Sequence, residues 1–559
     1  MNNMKKPEND LVFVPLGGVG EIGMNLAMYG YGNPAKRKWI VVDVGVTFPG
    51  PSLPGVDLIL PDIRFLESVV DDLEAIIITH AHEDHYGALL TLWPRLRAPV
   101  FCTPFTAGML EAKRYSERNA PDIPLTVFKA GEKFVAGPFK LEAINVTHSI
   151  PEPVSLAIST PLGRLIHTGD WKMDHAPTLG NETDEKHFRR LGKEGVLALI
   201  CDSTNAMRDG VSPSEQEVSD SLANVIEESK GRVLITTFSS NVGRIRSIAM
   251  AAEKAGRKVM IFGRSMLRVC DVARELGYLD GIAPFVNDDE YASIPRENLV
   301  VILTGSQGES RAALAKLARS EHHKATLAAG DRVVFSSRII PGNGKSIIEI
   351  QNALIEQGVE IITDHDALVH VSGHPRRNEL RQMYDWVQPT ISVPVHGEAA
   401  HLSAHAALAA EIGIEDVAPV RNGDMLRLAP GPAEVIDQVP HGRYFKDGKM
   451  LGTEAEIGVG ERRGLSYAGQ VSMSVIINKH GDLIADPDIE TYGLPEMADD
   501  QDTMEDCLYD AAVGALEGIP RKGRKNIAKV REAIRRAVRA EARQLWGKKP
   551  VTTIFVARV

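Results

Sequence analysis

Thr79-His80-Ala81-His82-Glu83-Asp84-His85 is the stretch on which the fold turns. It follows directly on Leu73-Glu74-Ala75-Ile76-Ile77-Ile78, an apolar, β-branched run that reads as a strand. Three imidazoles and the Asp84 carboxylate thus fall within six residues at a strand end. In an extended segment His80 and His82 point the same way. Asp84 and His85 fall on the turn into the helical run Gly87-Ala88-Leu89-Leu90. Such a cluster can serve one metal with two imidazoles and a second with Asp84 and His85. Imidazole with carboxylate suits zinc, and manganese or iron as well. Unrelated surface histidines rarely keep this spacing at a strand end.

Working outward, the N-terminal part carries further short strands, each closed by a polar or glycine-rich cluster: LVFVPL, WIVVDVG, KLEAINVTH, RLIHTGD and VLALICDST. His148, Asp170 and, much later, His396 after ISVPV stand at ends of such runs, where layered α/β folds put their functional residues. From Ser212 to Glu360 the texture changes to alternating helix and strand, the mark of βαβ units and a parallel sheet. SPSEQEVSDSLANVIEESK opens this part with a capping signal. Strand-and-loop texture then returns, so one domain is interrupted by another. A third piece begins near Leu465. VSMSVIINKHGDLIAD reads as a hairpin with a His-Gly turn, followed by the acidic stretch Met497 to Cys507, a long helix and a last strand.

The bulk numbers are those of a globular chain of two to four domains: 559 residues, 43% hydrophobic and 25% charged. Residues MNNMKKPEND have no apolar core behind them and are not a secretory signal. No apolar run reaches the roughly 18 residues of a membrane span, and cytoplasmic residence is the default expectation. The four cysteines form no CxxC pair, so neither a disulfide framework nor a thiolate zinc site is expected. A net charge of −11 means that a polyanion binder must gather its cations locally. Residues 521–549 hold 12 Lys and Arg against two Glu, either a solvated helix face or a contact for RNA or a partner.

His80, His82, Asp84, His85, His148 and Asp170, with Asp43 in WIVVDVG, resemble the ordered metal motifs of the metallo-β-lactamase superfamily. The resemblance implies an α/β fold, an αββα sandwich in which His80, His82 and His148 hold one divalent ion. Asp84, His85 and His396 would hold a second, Asp170 would bridge the two, and Asp43 would orient a His ring or the motif loop. Two ions about 3.5–4 Å apart clamp a phosphate for in-line displacement and activate a shared water as the nucleophile. No serine or cysteine triad is then needed. Lys172 reads as a surface or packing residue.

Asp202 in Cys201-Asp202-Ser203-Thr204, His374 in Ser372-Gly373-His374, and His396 are similar to the β-CASP subgroup, whose members act on nucleic acids. By that resemblance Asp202 stands behind the site, and His374 touches the scissile phosphate as transition-state stabiliser or general acid. Leu16 to Asn25 (LGGVGEIGMN), Thr304 to Glu309 (TGSQGE) and Pro394 to Glu398 (PVHGE) then resemble the ribonuclease J family, over nearly the whole chain. That family implies a 5′→3′ exoribonuclease preferring 5′-monophosphate RNA, with additional endonuclease activity, serving RNA maturation and mRNA decay. It further implies two divalent ions, Zn2+ or alternatively Mn2+, an RNA substrate, a homodimer or higher homo-oligomer, and neither membrane nor nucleotide cofactor.

The implied domains are a metallo-β-lactamase domain over 1–208 and 364–450, a β-CASP domain over 209–363, a linker over 451–467, and a small α+β C-terminal domain over 468–559. Ser239, Ser240 and Asn241 at a helix start suit a phosphate, and in the family this place belongs to the 5′-monophosphate pocket. Arg244, Arg246 and Gly373 join it, within a basic channel that also draws on Arg264, Arg268, Arg338, Arg376 and Arg377. The chain departs from the family at Pro375-Arg376-Arg377, where a small residue, Ser and Gln are more usual; the arginines either take over a phosphate contact or cap the next helix.

Gly18-Val19-Gly20-Glu21-Ile22-Gly23 has the dinucleotide spacing, but Met24 onward reads as a strand rather than a helix. Gly342-Asn343-Gly344-Lys345-Ser346 lacks the first glycine of a phosphate loop. The competing readings are a strictly endonucleolytic RNA-processing enzyme, a metallohydrolase of small esters or lactones, and a non-catalytic RNA-binding scaffold.

Overall fold

Alternating apolar positions in the N-terminal runs close into two sheets laid face to face. A computed structural model describes residues 9–340, 342–498 and 502–559. The first eight residues, read above as no secretory signal, lie outside these, as do residues 499–501 of the acidic stretch. The first sheet runs, in spatial order, Glu434–Gln438, Asp424–Ala429, Asp10–Gly17, Leu26–Asn33, Lys36–Val42, Leu73–Ile77, Val100–Cys102 and Leu125–Val127. The second runs Asp416–Val417, Ile391–Val395, Ala198–Asp202, Gly163–His167, Val154–Thr160, Phe139–Asn145 and Lys133–Ala136.

Leu11, Phe13, Tyr29, Ile40, Val42 and Ile77 of the first sheet share one core with Leu141, Leu156, Ile158, Leu165, Ile200 and Val393 of the second. Each such side chain stabilises by roughly 1.5–3 kcal/mol when fully buried. The opposite face of the second sheet (Ile144, Ala157, Ile166, Leu199) packs on helices Glu185–Glu194, Arg377–Val387 and Ala399–Ile412. Val12, Val14, Met28, Val41 and Ile76 are fully buried too, so both faces of the first sheet are covered as well. This is the expected αββα sandwich.

The chain leaves the second sheet after Asp202, makes the insertion up to Glu360–Ile362, and re-enters that sheet at Ile391 by way of helix Arg377–Val387. The insertion's five strands, Lys258–Phe262, Leu299–Leu303, Val233–Thr236, Arg332–Phe335 and Glu360–Ile362, are all parallel, as the βα alternation requires. Its first helix, Glu215–Glu228, starts where the capping signal puts it: Ser214 and Glu217 form a reciprocal capping box. The strands on either side of the insertion, Ala198–Asp202 and Ile391–Val395, lie side by side in parallel register, with Asp202 opposite Val395. The insertion therefore delivers its own C-terminal end to the place it left.

The chain divides into two compact units, one of Ile59–Arg443 with the segment up to Thr47, the other of Phe48–Leu58 with Tyr444–Val559. In the second unit Gln470–Ile477 is the central strand, with Asp488–Tyr492 antiparallel and Val551–Arg558 parallel to it. Val471, Met473, Val475 and Ile477 point to helices Met504–Glu517 and Ile527–Trp546, meeting Leu508, Leu516, Val530, Ile534 and Val538. Two local expectations are altered here. The His480-Gly481 turn closes only one isolated bridge, Ile477 to Leu483. Pro487, which has no N–H for a ladder, intervenes before the antiparallel strand forms. Residues 451–467, read as a linker, carry all but the last residue of helix Val459–Ala468.

Candidate metal centre

The strand Leu73–Ile77 ends three residues before His80, and the chain beyond it is held by a neighbouring strand end. Asp43, just past Lys36–Val42, accepts hydrogen bonds from the Thr79 amide (2.8 Å) and hydroxyl (2.9 Å). The amides of Val44 and Val46 donate to the carbonyls of His85 (2.7 Å) and Glu83 (3.0 Å). Between them sits Gly45, where a Cβ would lie 1.7 Å from the Asp84 carbonyl oxygen. Only glycine lets the two segments approach so closely. Asp43 and His396 both take left-handed backbone, at φ +64 and +51 degrees. Such strain persists only where the surroundings over-determine it, and it gathers at functional sites.

Two nests of donors result. His80 Nε2 and His148 Nε2 lie 3.1 and 3.0 Å from His82 Nδ1, and 3.9 and 3.6 Å from Asp170 Oδ2. His85 Nε2 lies 3.2 Å from Asp170 Oδ2 and 3.6 Å from Asp84 Oδ2. His396 Nε2 lies 3.6 Å from Asp170 Oδ1 and 4.0 Å from Asp84 Oδ2. All donors within each nest are within 4.8 Å of one another. Asp170 belongs to both: its Oδ2 faces His80, His148 and His85, and its Oδ1 faces His396.

Every imidazole is aimed by its other nitrogen. His80 Nδ1 meets the Thr79 hydroxyl (3.0 Å), His82 Nε2 the Ser240 hydroxyl (3.0 Å), and His148 Nδ1 donates to the Gly373 carbonyl (2.7 Å). His85 Nδ1 donates to Asp43 Oδ2 (2.7 Å), and His396 Nδ1 to Asn25 Oδ1 (2.7 Å). With those nitrogens engaged, the inward ones face the two nests, that of His85 also lying 3.0 Å from the Asn25 amide nitrogen.

Divalent cations fit this donor set. Ligands bound at about 2.0–2.1 Å around a tetrahedral ion stand roughly 3.3 Å apart, close to the separations seen. Asp170 Oδ1 and His396 Nε2 are buried with no hydrogen-bond partner. Burial and neighbouring imidazoles hold His80 and His148 well below the usual histidine range, and His82 falls to about 4, mainly by burial. Burial opposes charge on His85 too, but Asp170, Asp84 and Asp43 outweigh it and raise its pKa. Burial works against the Asp170 anion, yet His396, His85 and His374 hold its carboxyl well below the usual range. Lone pairs crowd one side of the site and carboxylates the other, an imbalance that cations relieve.

His374 stands at the opening, its side chain 20% exposed, and donates from Nδ1 to Asp202 Oδ2 at 2.7 Å. Burial lowers its basicity, but Asp202 and Asp170 prevail and push it up to about 9. Asp202 is fixed in turn by the Thr204 amide (2.8 Å).

The residues expected at phosphate divide. Ser239 faces Ser265 (3.0 Å) and is partly exposed. Ser240 reaches the metal nest itself through His82. Asn241 is buried and caps helix Val242–Lys254, its side chain accepting from the Arg244 amide. Arg244 does not face substrate. It is 1% exposed, and its guanidinium donates to Glu215 (2.8 Å), Ser336 (2.6 Å) and the Val369 carbonyl (3.1 Å). Lys172, read as a surface or packing residue, is 1% exposed and ion-paired with Asp174 (2.8 Å), beside Glu215 (3.7 Å). These four buried charges offset one another, so neither cation is open to a phosphate.

Gly373 acts through its carbonyl on His148; a Cβ there would come within 2.5 Å of that ring. Arg376 starts helix Arg377–Val387, its amide donating to Glu379 (2.8 Å), while Arg377 pairs with Glu411 and Asp209, both at 3.2 Å. Arg376 and Arg338 instead join Arg208. Arg338 donates to Asn205 Oδ1 (3.1 Å), and the Asn205 amide group donates to Ser372 Oγ (2.9 Å) and the His374 carbonyl (3.0 Å). Burial first, then repulsion from the other arginines, lowers the pKa of Arg208 and Arg338, with Asp364 acting the other way. Arg376 Nε is buried without a partner. Asn25, Ser240's bond to His82, Asn205 and Arg208 were not anticipated in these roles. Only Asn25 carried a signal, as the end of the quoted LGGVGEIGMN motif.

Four family models match the chain: "Beta-lactamase superfamily domain" over residues 38–187, "Ribonuclease J, beta-CASP domain" over 230–354, "Zn-dependent metallo-hydrolase RNA specificity domain" over 358–419, and "Ribonuclease J C-terminal domain" over 457–559. Ribonuclease J of Sinorhizobium meliloti is 62% identical, over 99% of this chain and 98% of its own. Ribonuclease J of Mycobacterium tuberculosis is 37% identical over 97% and 96%, and that of Corynebacterium glutamicum 36% over 98% and 76%. A solved protein of unknown function from Enterococcus faecalis shares the fold alone, with a TM-score of 0.51 and 14% identity over 75% of this chain and all of that one.

Proposed function

The chain belongs to the ribonuclease J family of metal-dependent ribonucleases, and from that premise we propose that it shortens RNA from the 5′ end, prefers a 5′-monophosphate, also cuts internally, and serves RNA maturation and mRNA decay in the cytoplasm. We assign one divalent ion to His80, His82 and His148, a second to Asp84, His85 and His396, and the bridge to Asp170, with Zn2+ as the native metal. Held there, the ions supply charge neutralisation at the phosphate and acidify water. The chain's own groups do the rest. Asp43, Thr79, Asn25, Ser240 and Gly373 orient the imidazoles. His374, with Nδ1 tied to Asp202, offers its Nε2 proton to the leaving oxygen of the RNA, a general-acid step typically worth about 10²–10⁴-fold in rate. A homo-oligomer is the state that goes with the family resemblance.

The observation that carries the 5′-monophosphate reading is the trio Arg208, Arg338 and Arg376, gathered at the turn of Asn205 that also holds the His374 carbonyl. Cations brought together with so little to neutralise them suit a terminal phosphate with its extra negative charge. The test uses end-labelled RNA with a 5′-monophosphate or a 5′-triphosphate. Mononucleotides should leave the monophosphate RNA faster. His82→Ala should abolish all cleavage, and Arg376→Ala should erase the preference while sparing internal cuts. Equal internal fragments from both RNAs, unchanged in Arg376→Ala, would favour an endonuclease and remove the pocket.

A further inference from the structure

The 12 cations of residues 521–549 acquire a shape in the fold. Helix Ile527–Trp546 buries Val530, Ile534, Val538 and Ala542, one stripe at four-residue intervals. Directly opposite that stripe, Lys529, Arg536 and Arg543 recur every seven residues and are exposed, along roughly 21 Å of helix at 1.5 Å per residue. Arg531 flanks them, and Lys522 and Lys525 lead in, all exposed. The carboxylate that answers this row is Glu532, which pairs with Arg535 at 2.8 Å and sits 3.6 Å from Arg536. Among the described residues Lys529, Arg531 and Arg543 have no ion pair. A helix face solvated for its own sake would alternate charges; this one does not, in a chain whose net charge is −11.

A second observation lies at the C-terminal end of the same helix. The Lys548 ammonium sits 4.6 Å from the Tyr467 ring and 4.7 Å from the Trp546 ring, and donates to the Tyr467 carbonyl at 2.9 Å. It fixes two aromatic rings in place while Tyr467 stays 69% exposed. A cationic track that ends on a fixed, open aromatic ring is the combination that binds single-stranded nucleic acid: phosphates along the track, a base stacked on the ring. An acidic protein segment would match the track but has no use for the ring.

We propose that the outer face of helix Ile527–Trp546, ended by the Tyr467–Lys548–Trp546 stack, is a binding surface for single-stranded RNA. The proposal rests on RNA being the substrate. It adds a hold on the strand that does not depend on the 5′ end.

The test uses the full chain and hydrolysis-resistant phosphorothioate RNAs of about 30 and about five nucleotides, the longer able to engage more than one surface. Binding is followed by fluorescence anisotropy over a salt series. Replacing Lys529, Arg536 and Arg543 together by Gln should raise Kd for the long RNA on the order of tenfold and reduce the salt slope by about 2, at about 0.7 per phosphate contact on a single strand. The short RNA should bind as before, and ordinary short RNA should be hydrolysed at the unchanged rate. Tyr467→Ala should weaken the long RNA several-fold at constant salt slope, because stacking releases no counterions. A triple Arg/Lys exchange that keeps the charges should bind like the parent. An unchanged long-RNA Kd overturns the proposal and leaves the track to an acidic partner. Parallel losses on short and long RNA overturn it too. Wild-type protein that fails to cleave any RNA defeats the ribonuclease reading instead, which keeps the two failures apart.

Discussion

Gly45 shows how a centre of charged side chains depends on a residue with none. Its missing Cβ lets Val44 to Val46 clasp Glu83 to His85. Gly45→Ala should push Asp84 and His85 off their positions. Bound metal per chain should then fall by about half, as the second ion is lost, with activity down at least about 10²-fold; elemental analysis with an RNA cleavage assay checks this. The metal-ligand candidates were legible because their types and spacing are rare at strand ends. Arg244 misled because a cation just after a helix start looks the same whether it faces phosphate or, as here, a buried carboxylate 29 residues earlier in the chain. The Ser240–His82 contact spans 158 positions, and no local pattern encodes it.

Among elements, helix Ala399–Ile412 is fastened by an uncharged imidazole. His405 is fully buried, with Nδ1 2.8 Å from the Ser203 hydroxyl and Nε2 2.9 Å from the Tyr384 hydroxyl of helix Arg377–Val387. Burial lowers its pKa from 6.5 to about 4. Since the unfolded chain takes up this proton first, the stabilisation is whole above pH 6.5 and drains away as the pH falls toward about 4, on the order of 3 kcal/mol in all. Thermal melts at stepped pH should show that loss, and His405→Gln should flatten it. Element types read well where end signals were chemical, as at the Ser214–Glu217 box. The hairpin after Ile477 did not, because the turn at His480-Gly481 is real while its returning strand is delayed past Pro487.

At the scale of the whole molecule, the interruption of one domain by another was visible as a change of texture near Ser212 and back again. That residues 48–58 group with the C-terminal unit was not visible, since nothing in that short segment announces a distant partner. The sandwich core is built without the metal: its two sheets meet through Leu11, Phe13, Ile158, Leu165 and their neighbours, and the imidazoles are held from behind by their own hydrogen bonds. Chelation should therefore abolish RNA cleavage while far-ultraviolet circular dichroism stays unchanged, and the melting temperature should fall as metal-linked stabilisation is withdrawn. Added Zn2+ should restore both.

The insertion that leaves at Asp202 and returns beside it also orders events in time. A chain emerging from the ribosome exposes His80 to Asp170 early, but His374 and His396 come out only after the whole parallel-sheet insertion has been made. Until then the nest facing Asp84 is short of a ligand and Asp202 has no imidazole to hold. The centre of this ribonuclease can therefore close only once the insertion has been made, however early its first ligands appear.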